Sequence, residues 1–567
     1  MSTAPAGGRR AAPLGAPLRR RVPTLVAWAV RLVAIASLAT LVRQPDNARQ
    51  GRLADVVGDA GLAVVIVTNA AVLLVLARAL ARRKRRAWRF VLGFTVLAVA
   101  LYARTGAWDA AALNAVAAGL LLWGRRDFTA QSEPSTRWLA ARAGLLASAV
   151  AISGGTAVSA RTAPDAGAWP LVRETLRGLV GFAPDLPYRR QDLSDVGSLA
   201  LNGMGVAVVG LVLVLLLQPR RPPAVLAPED EGALRALLDA WGDRDSLGYF
   251  ALRRDKSVLF SASGKAAVTY RVVGAVSLAS GDPIGDPEAW PGAIGAWLDE
   301  AQRFAWVPGV LGASRAGATA YVRAGFDALE LGDEAVLDLT SFTLDGRARR
   351  PVRQAVSRAR RAGYRVDVRR QRDLSPDELA EVARRVEELR DGDVERGFSM
   401  ALGRVGDPAD GDVVVVTART PEGRLAAVMT LVPWGRDGLS LDLMRRSRGS
   451  ENGTMELLVA TLAEQATALG IRRVSLNFAV FRSALERGSQ IGAGPVLRLW
   501  RAVLLKASRW WQIESLYRAN AKYLPVWAPR HVCFLRAADL PAVAAAALQA
   551  EAFVVRPQLS RWLRPRR

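Results

Sequence analysis

Residues 436–477 read RDGLSLDLMRRSRGSENGTMELLVATLAEQATALGIRRVSLN, and this stretch decides the fold of the larger part of the chain. Leu439, Leu441 and Leu443 alternate with Ser440, Asp442 and Met444, a period of two that predicts a strand. Ser450, Glu451, Asn452 and Gly453 then supply turn and N-cap chemistry. Met455, Leu458, Val459, Leu462, Ala466 and Leu469 recur on one helical face, and Gly470 suits the end of that helix. Val474, Leu476 and Phe478 open a second strand. Strand, helix, strand is the building unit of an α/β sheet. Asp442 and Arg445 put a carboxylate and a guanidinium where the first strand runs out, a place where α/β proteins hold ligands. A plain surface Asp–Arg pair has the same spacing, so the pattern alone names no chemistry.

Upstream, strands near 412–418 and 424–433 form a hairpin through Pro421-Glu422-Gly423, preceded by a helix near 375–391 and the segment ERGFSMALGR at 395–404. Before these comes GRARRPVRQAVSRARRAGYRVDVRR. Pro351 suits a first helical turn and Gly363 a C-terminal cap. Val352, Ala355, Val356 and Ala359 make an apolar stripe, while Arg349, Arg350, Arg353, Arg358, Arg360 and Arg361 crowd the rest. No acid lies between Arg347 and Asp367, so an anion-binding face is preferred to a solvated one. Phosphate contact of this kind carries affinity without sequence information. Further upstream, strands at 257–261, 266–273 and 274–280, a helix near 288–304, and strands near 308–313 and 326–331 flanking a short helix complete a first α/β part. Asp282, Asp286 and Glu288 sit in DPIGDPE, which reads as turn chemistry before it reads as a metal site. Downstream, Trp500, Trp510, Trp511, Tyr517, Tyr523 and Trp527 interleave with Arg498, Arg501, Arg509, Arg518, Lys522 and Arg530. Core packing, a lipid interface and base stacking all fit that mixture.

The first 217 residues differ in kind. A basic Ala/Pro/Gly-rich start (1–22) precedes six apolar segments near 23–42, 62–81, 88–103, 108–124, 138–158 and 197–217, of which the third and fourth are short for a bilayer. The first reads as a retained anchor, since no small-residue cleavage site follows it. The N-terminus, Arg82-Arg83-Lys84-Arg85-Arg86, the loop with Arg125, Arg126 and Arg137, and Arg220-Arg221 share one side if all six cross, and the positive-inside rule makes that side cytoplasmic. Everything beyond the linker Gln218–Glu231 then lies inside as well.

Lys+Arg totals 77 against Asp+Glu 52 in 567 residues, a net charge of +25, which calls for an anionic partner. Only five of those bases are lysines: Lys84, Lys256, Lys265, Lys506 and Lys522. A single Cys (Cys533) and a single His (His531), one residue apart in a strand-like run, exclude a disulfide framework and leave little for a Cys/His metal site. Neither HExxH nor GxxxxGK[ST] occurs, which disfavours metalloprotease and P-loop chemistry.

From Asp255 to Phe534 the chain resembles the catalytic domain of the aminoacyl-phosphatidylglycerol synthases, the multiple-peptide-resistance family. The resemblance rests on GKAAVTYRVVGAVSLASGDPIGDP, RQAVSRARRAGYRV, VPWGRDGLSLDLMRR, VSLNFAVFRS and SLYRANAKYLPVWAPR, in that order. It implies two tandem GNAT-like acyltransferase domains on a membrane-embedded N-terminus, and transfer of an amino acid from aminoacyl-tRNA to phosphatidylglycerol at the cytoplasmic leaflet. The expected layout is a helical membrane domain of about six spans at 23–217, a linker at 218–231, GNAT-like domains at 232–345 and 346–540, and a C-terminal helix and basic tail at 541–567. The family's Asp-Leu-Met-Arg motif falls on Asp442, Leu443, Met444 and Arg445, its Glu-Arg on Glu486 and Arg487, and its Lys before Pro-x-Trp on Lys522. The resemblance implies catalytic roles for Asp442, Arg445, Glu486 and Lys522. Arg349, Arg350, Arg353, Arg358, Arg361 and Arg518 are the candidates for tRNA or lipid phosphate. A flippase half and a fused aminoacyl-tRNA synthetase domain, found in some relatives, are not expected.

An aminoacyl-tRNA is already an activated ester, so exchange onto a glycerol hydroxyl calls for neither cofactor nor metal, only for two reactants held together away from water. The amino acid and the oligomeric state stay open. Rival readings are acyl transfer from acyl-CoA, for which GSENG is the nearest phosphate-cradling turn, a non-enzymatic module binding RNA or anionic lipid, and, less well supported, a transporter.

Overall fold

The computed structural model describes residues 22–43, 67–68, 70–104, 106, 108–130, 136–162, 165–180, 191–217, 225–390, 397–480 and 518–554. The chain divides near Arg220 into two units.

The first unit is helical: α1 (Val22–Arg43), α2 (Ala70–Ala81), α3 (Arg85–Arg104), α4 (Trp108–Trp123), α5 (Thr136–Thr162), α6 (Ala168–Val180) and α7 (Gln191–Leu216). Six of these fall on the six apolar segments; α6 forms in what the sequence offered as a loop. Among the described residues, two helices, at Arg85–Arg104 and Arg137–Arg161, are long and apolar enough to cross a membrane. Small residues set the packing of α5, α6 and α7. A Cβ on Gly205 would sit 1.9 Å from the Leu179 carbonyl oxygen, so only glycine allows that approach. The end of α7 is capped by cations: Lys84 donates to the Leu217 carbonyl, and Arg86 Nη1 to the Leu216 carbonyl at 2.8 Å.

The second unit is built on one 12-stranded sheet in the order β1-β2-β3-β5-β12-β6-β11-β10-β9-β8-β7, with β4 beside β2. The strands are β1 (Ser257–Phe260), β2 (Ala266–Val273), β3 (Val276–Ser280), β4 (Ile284–Gly285), β5 (Val307–Ala313), β6 (Asp327–Asp338), β7 (Arg365–Arg370), β8 (Val414–Arg419), β9 (Leu425–Trp434), β10 (Gly438–Arg446), β11 (Arg473–Val480) and β12 (Val526–Phe534). The helices are α8 (Pro228–Trp241), α9 (Trp290–Phe304), α10 (Arg315–Arg323), α11 (Arg350–Arg361), α12 (Pro376–Glu388), α13 (Thr454–Gln465) and α14 (Leu540–Ala550). One motif occurs twice. An antiparallel meander, β1-β2-β3 or β8-β9-β10, leads through a helix, α9 or α13, to a strand parallel to the meander's last member. The two halves then trade strands: β6, from the first, pairs with β11 of the second, and β12, from the second, pairs with β5 of the first.

Alternation sorts the apolar side chains by face. Val414, Val416, Ala427, Met429 and Leu431 meet α11 and α13, whereas Val413, Val415, Val428 and Val432 meet α8 and α12. β6 runs seven residues beyond its predicted end at 331, through charged Asp333 and Glu334, both buried. A central strand tolerates Glu334 because Arg530 on neighbouring β12 neutralises it at 2.6 Å.

β10 departs from the simple alternation read in its sequence. A bulge between Leu441 and Leu443 makes Asp442 the extra residue. Leu439 and Leu441 therefore pack toward α13, while Leu443 packs on the opposite face. α13 ends at Gln465, and turns carry the chain to Gly470. Its cap is Gly453 itself, at φ +106 with no side-chain cap, where a Cβ would lie 2.2 Å from the Ala355 carbonyl oxygen of α11.

Candidate functional site

β10 and β11 pair in parallel only from Gly438 with Arg473 to Ser440 with Ser475. Beyond that, β10 bulges at Asp442 and β11 shifts register after Ser475. The two strands diverge, and this divergence is the candidate site.

Asp442 stands on the β10 side, half-buried, with its carboxylate aimed from two directions. Oδ1 accepts the Leu402 N–H at 2.6 Å and Oδ2 the Thr430 hydroxyl at 2.9 Å. Arg445 shares this face, and its Nη1 donates to the Val386 carbonyl at the end of α12 at 2.5 Å. Lys522 stands on the β11 side. Buried Asn520 ties its turn to the Leu476 carbonyl at 3.3 Å, and Lys522 Nζ meets Glu456 Oε1 at 2.6 Å and lies 5.1 Å from the Tyr523 ring centroid. Glu456 occupies the first turn of α13. Burial works to raise its pKa, but the Lys522 ammonium outweighs that and holds it below the ordinary carboxylate value.

The structure thus splits the predicted residues between two faces of the sheet, Asp442 and Arg445 toward α12, Lys522 with the arginine helix toward α11 and α13. Glu486 and Arg487 lie outside the described residues. The arginines of α11 also divide. Arg349 donates to the Thr343 carbonyl and, at 3.4 Å, to the Tyr523 carbonyl, and its guanidinium stacks 4.8 Å from the Phe342 ring centroid. Arg353 caps Leu344 and Gly346, and Arg360 forms a two-bond pair with Glu464. Those three brace the helix. Arg350, Arg358 and Arg361 share the outward face, exposed and without a side-chain partner among the described residues. Arg518 is exposed ahead of Lys522.

Sequence reading missed Thr430, Glu456 and the Leu402 amide. Thr430 did leave a signal, as the lone hydrogen-bonding hydroxyl within LAAVMTLVPW. Asp286 does cap a turn, accepting from the Glu288 N–H at 3.0 Å, but Asp282 belongs to a buried cluster with Asp245, Ser314 and Arg530. Cys533 is buried in β12 and His531 is half-buried beside the Ala313 carbonyl. Among the described residues no cluster of His, Cys, Asp and Glu could hold a metal ion. A cavity of about 540 Å³ lies apart from Asp442, at the β9–β10 turn, lined by residues that include Arg235, Tyr249, Arg370 and Arg436.

Residues 235–534 match the family described as phosphatidylglycerol lysyltransferase, C-terminal. The chain belongs to this family. Among its relatives is the lysylphosphatidylglycerol biosynthesis bifunctional protein LysX of Mycobacterium avium, 48% identical over 520 residues, which cover 86% of this chain and 42% of that protein. The LysX of Mycobacterium tuberculosis strain H37Rv is 48% identical over 505 residues, covering 86% and 43%. The chain therefore spans less than half the length of these curated relatives. The solved structure of L-PGS from Bacillus licheniformis superposes with a TM-score of 0.50 at 24% identity, covering 59% of this chain and 98% of that one, and shows that the sheet unit has the same fold. The phosphatidylglycerol lysyltransferase signature thus begins after the division near Arg220 and spans the residues that include Asp442 and Lys522.

Proposed function

We propose that the chain moves an aminoacyl group, lysyl by analogy with the names of its relatives, from aminoacyl-tRNA to phosphatidylglycerol at the cytoplasmic membrane surface, with the helical unit as a multi-pass anchor. One observation carries the reading. The Asp-Leu-Met-Arg corner is half-exposed at the divergence of β10 and β11, flanked by Asp442 on one strand and the Lys522 turn on the other.

In the exchange, the lipid glycerol O–H adds to the ester carbonyl carbon. Collapse expels the ribose oxygen of the tRNA terminus, which takes the proton the lipid hydroxyl gave up. One ester replaces another, and no oxidant, reductant or nucleotide is consumed. Asp442, with its carboxylate held by Thr430 and Leu402, is placed to receive the α-ammonium of the amino acid, and its charge would be wasted on a neutral acyl group. Lys522, on the other face of the sheet beside Glu456, offers a cation to phosphate. Arg350, Arg358 and Arg361 offer three unpaired guanidiniums to the tRNA backbone.

The test is direct. The full chain in phosphatidylglycerol liposomes is supplied with radiolabelled lysyl-tRNA or labelled acyl-CoA, and the extracted lipids are analysed by mass spectrometry. Label from lysyl-tRNA in the lipid fraction is expected. Label that stays in tRNA, or that enters lipid only from acyl-CoA, overturns the reading.

A further inference from the structure

Residues 397–404, GFSMALGR, end up between two carboxylates. At one end, Leu402 gives its N–H to Asp442 Oδ1 at 2.6 Å. At the other, Glu551, which closes α14 some 109 residues downstream of Asp442, is buried and makes three bonds to the same loop. Its Oε2 accepts the Phe398 N–H at 2.7 Å, and its Oε1 accepts the Ser399 N–H at 3.0 Å and the Ser399 hydroxyl at 2.5 Å.

The stretch between has little freedom. Gly397 sits at φ +114, where a Cβ would come within 2.6 Å of the Ala401 Cβ, and Arg253 holds the Ala401 carbonyl. The Phe398 ring is fully buried between two cations, Lys256 Nζ at 4.7 Å and the Arg271 guanidinium at 4.9 Å from its centroid. Arg271 also binds the Ala550 carbonyl at 2.8 Å, fixing the end of α14. Displacing Glu551 frees residues 398–399, and with them the amide that aims Asp442.

We infer that Glu551 is a positioning residue for Asp442, acting through the 397–402 loop. This rests on the reading of Asp442 given above. A buried N–H donated to a carboxylate stabilises its ionised form, so losing it raises the pKa of Asp442. A bond of that class corresponds to about one pH unit.

Glu551→Gln, in the full chain with phosphatidylglycerol liposomes and lysyl-tRNA, is therefore expected to move the acid limb of the kcat/KM profile up by about one unit. Val543→Ala loosens the packing of α14 without touching the carboxylate, and should leave that limb in place. An unmoved limb in Glu551→Gln, or an equal shift in Val543→Ala, overturns the inference. If Glu551→Gln does not accumulate, Ser399→Ala decides: about half a unit upward supports it and no shift overturns it. Asp442→Asn is measured alongside. An active Asp442→Asn enzyme sinks the reading of Asp442 and this inference with it. An inactive one beside an unmoved Glu551→Gln profile sinks this inference alone.

Discussion

Each half of the sheet carries Ser-x-Asp where a strand leaves its parallel partner: Ser280-Gly281-Asp282 after β3, and Ser440-Leu441-Asp442 on β10. Ser280 makes the last pair with β5 and Ser440 the last with β11. From there the halves part company. Asp282 is 5% exposed, with both oxygens taken by Ser314, the N–H at 2.8 Å and the hydroxyl at 2.5 Å. Arg530 reaches into the same cluster from the exchanged strand β12, bound to Asp245 at 2.7 Å and Glu334 at 2.6 Å. Asp442, in the second half, is held instead by the Leu402 N–H and the Thr430 hydroxyl and stays half-exposed. The same strand-end chemistry thus sits inside a buried ion cluster joining the halves in one case, and at a partly exposed divergence of strands in the other.

The comparison breaks most visibly at Arg530. Arg530→Met would leave Asp245 and Glu334 buried without their cation, at a cost of about 3–5 kcal/mol. Chemical unfolding of the full chain in detergent reads this directly. A cost under about 1 kcal/mol would show that the cluster does not bind the halves.

The second contrast concerns activity. Asp442→Asn should lower kcat/KM for lysyl transfer about 100-fold, some 2.7 kcal/mol of transition-state stabilisation. Asp282→Asn should stay within about twofold. Equal losses with both folds intact would erase the asymmetry.

Much of this was legible in the chain, and the part that was not has a common cause. Periods of two and 3.6 located β2, β9, α11 and α13 to within a few residues, because burial on one face imposes them locally. Leu439, Leu441 and Leu443 nevertheless read as one face of a strand, since a bulge inserts a residue without disturbing the alternation of letters. β6 looked finished at 331 because a buried Glu334 makes sense only once Arg530, nearly 200 residues on, is placed beside it. Thr430, Leu402, Glu456 and Glu551 likewise acquire roles from chain crossings that no local period records. The arginines of α11 looked uniform, and only packing separated those that brace the helix from those that face outward.

Proton linkage gives a third test. Burial first, and Asp245 beside it second, push Asp282 up to about 7 against the pull of Arg530. Below pH 4 the residue is protonated folded or unfolded. Between about 4 and 7 only the unfolded chain releases the proton, so stability should fall as pH rises through that window. Melting of the wild-type chain should come several degrees lower at pH 8 than at pH 5, and Asp282→Asn should narrow the gap. Melting points equal at the two pH values would mean that Asp282 is ionised in the fold.

The smallest effect belongs to the helices that lead each half. α8 opens with Glu229, Asp230 and Glu231, and Glu231 is held by Arg404 at 2.9 Å and Arg235 at 2.7 Å. Its charge is spent within the protein. α11 keeps three guanidiniums facing out. If those arginines meet the tRNA backbone, each displaces about one counterion, so Arg350, Arg358 and Arg361 changed together to Gln should flatten the log–log salt dependence of donor KM by about 2 to 3. KM itself should rise roughly three- to tenfold with kcat unchanged, because backbone contacts hold the donor equally before and during the exchange. Glu229→Gln with Asp230→Asn should alter neither. A fall in kcat without a change in salt slope would place the three arginines in the chemistry, and an unchanged KM would leave α11 no more an RNA surface than α8.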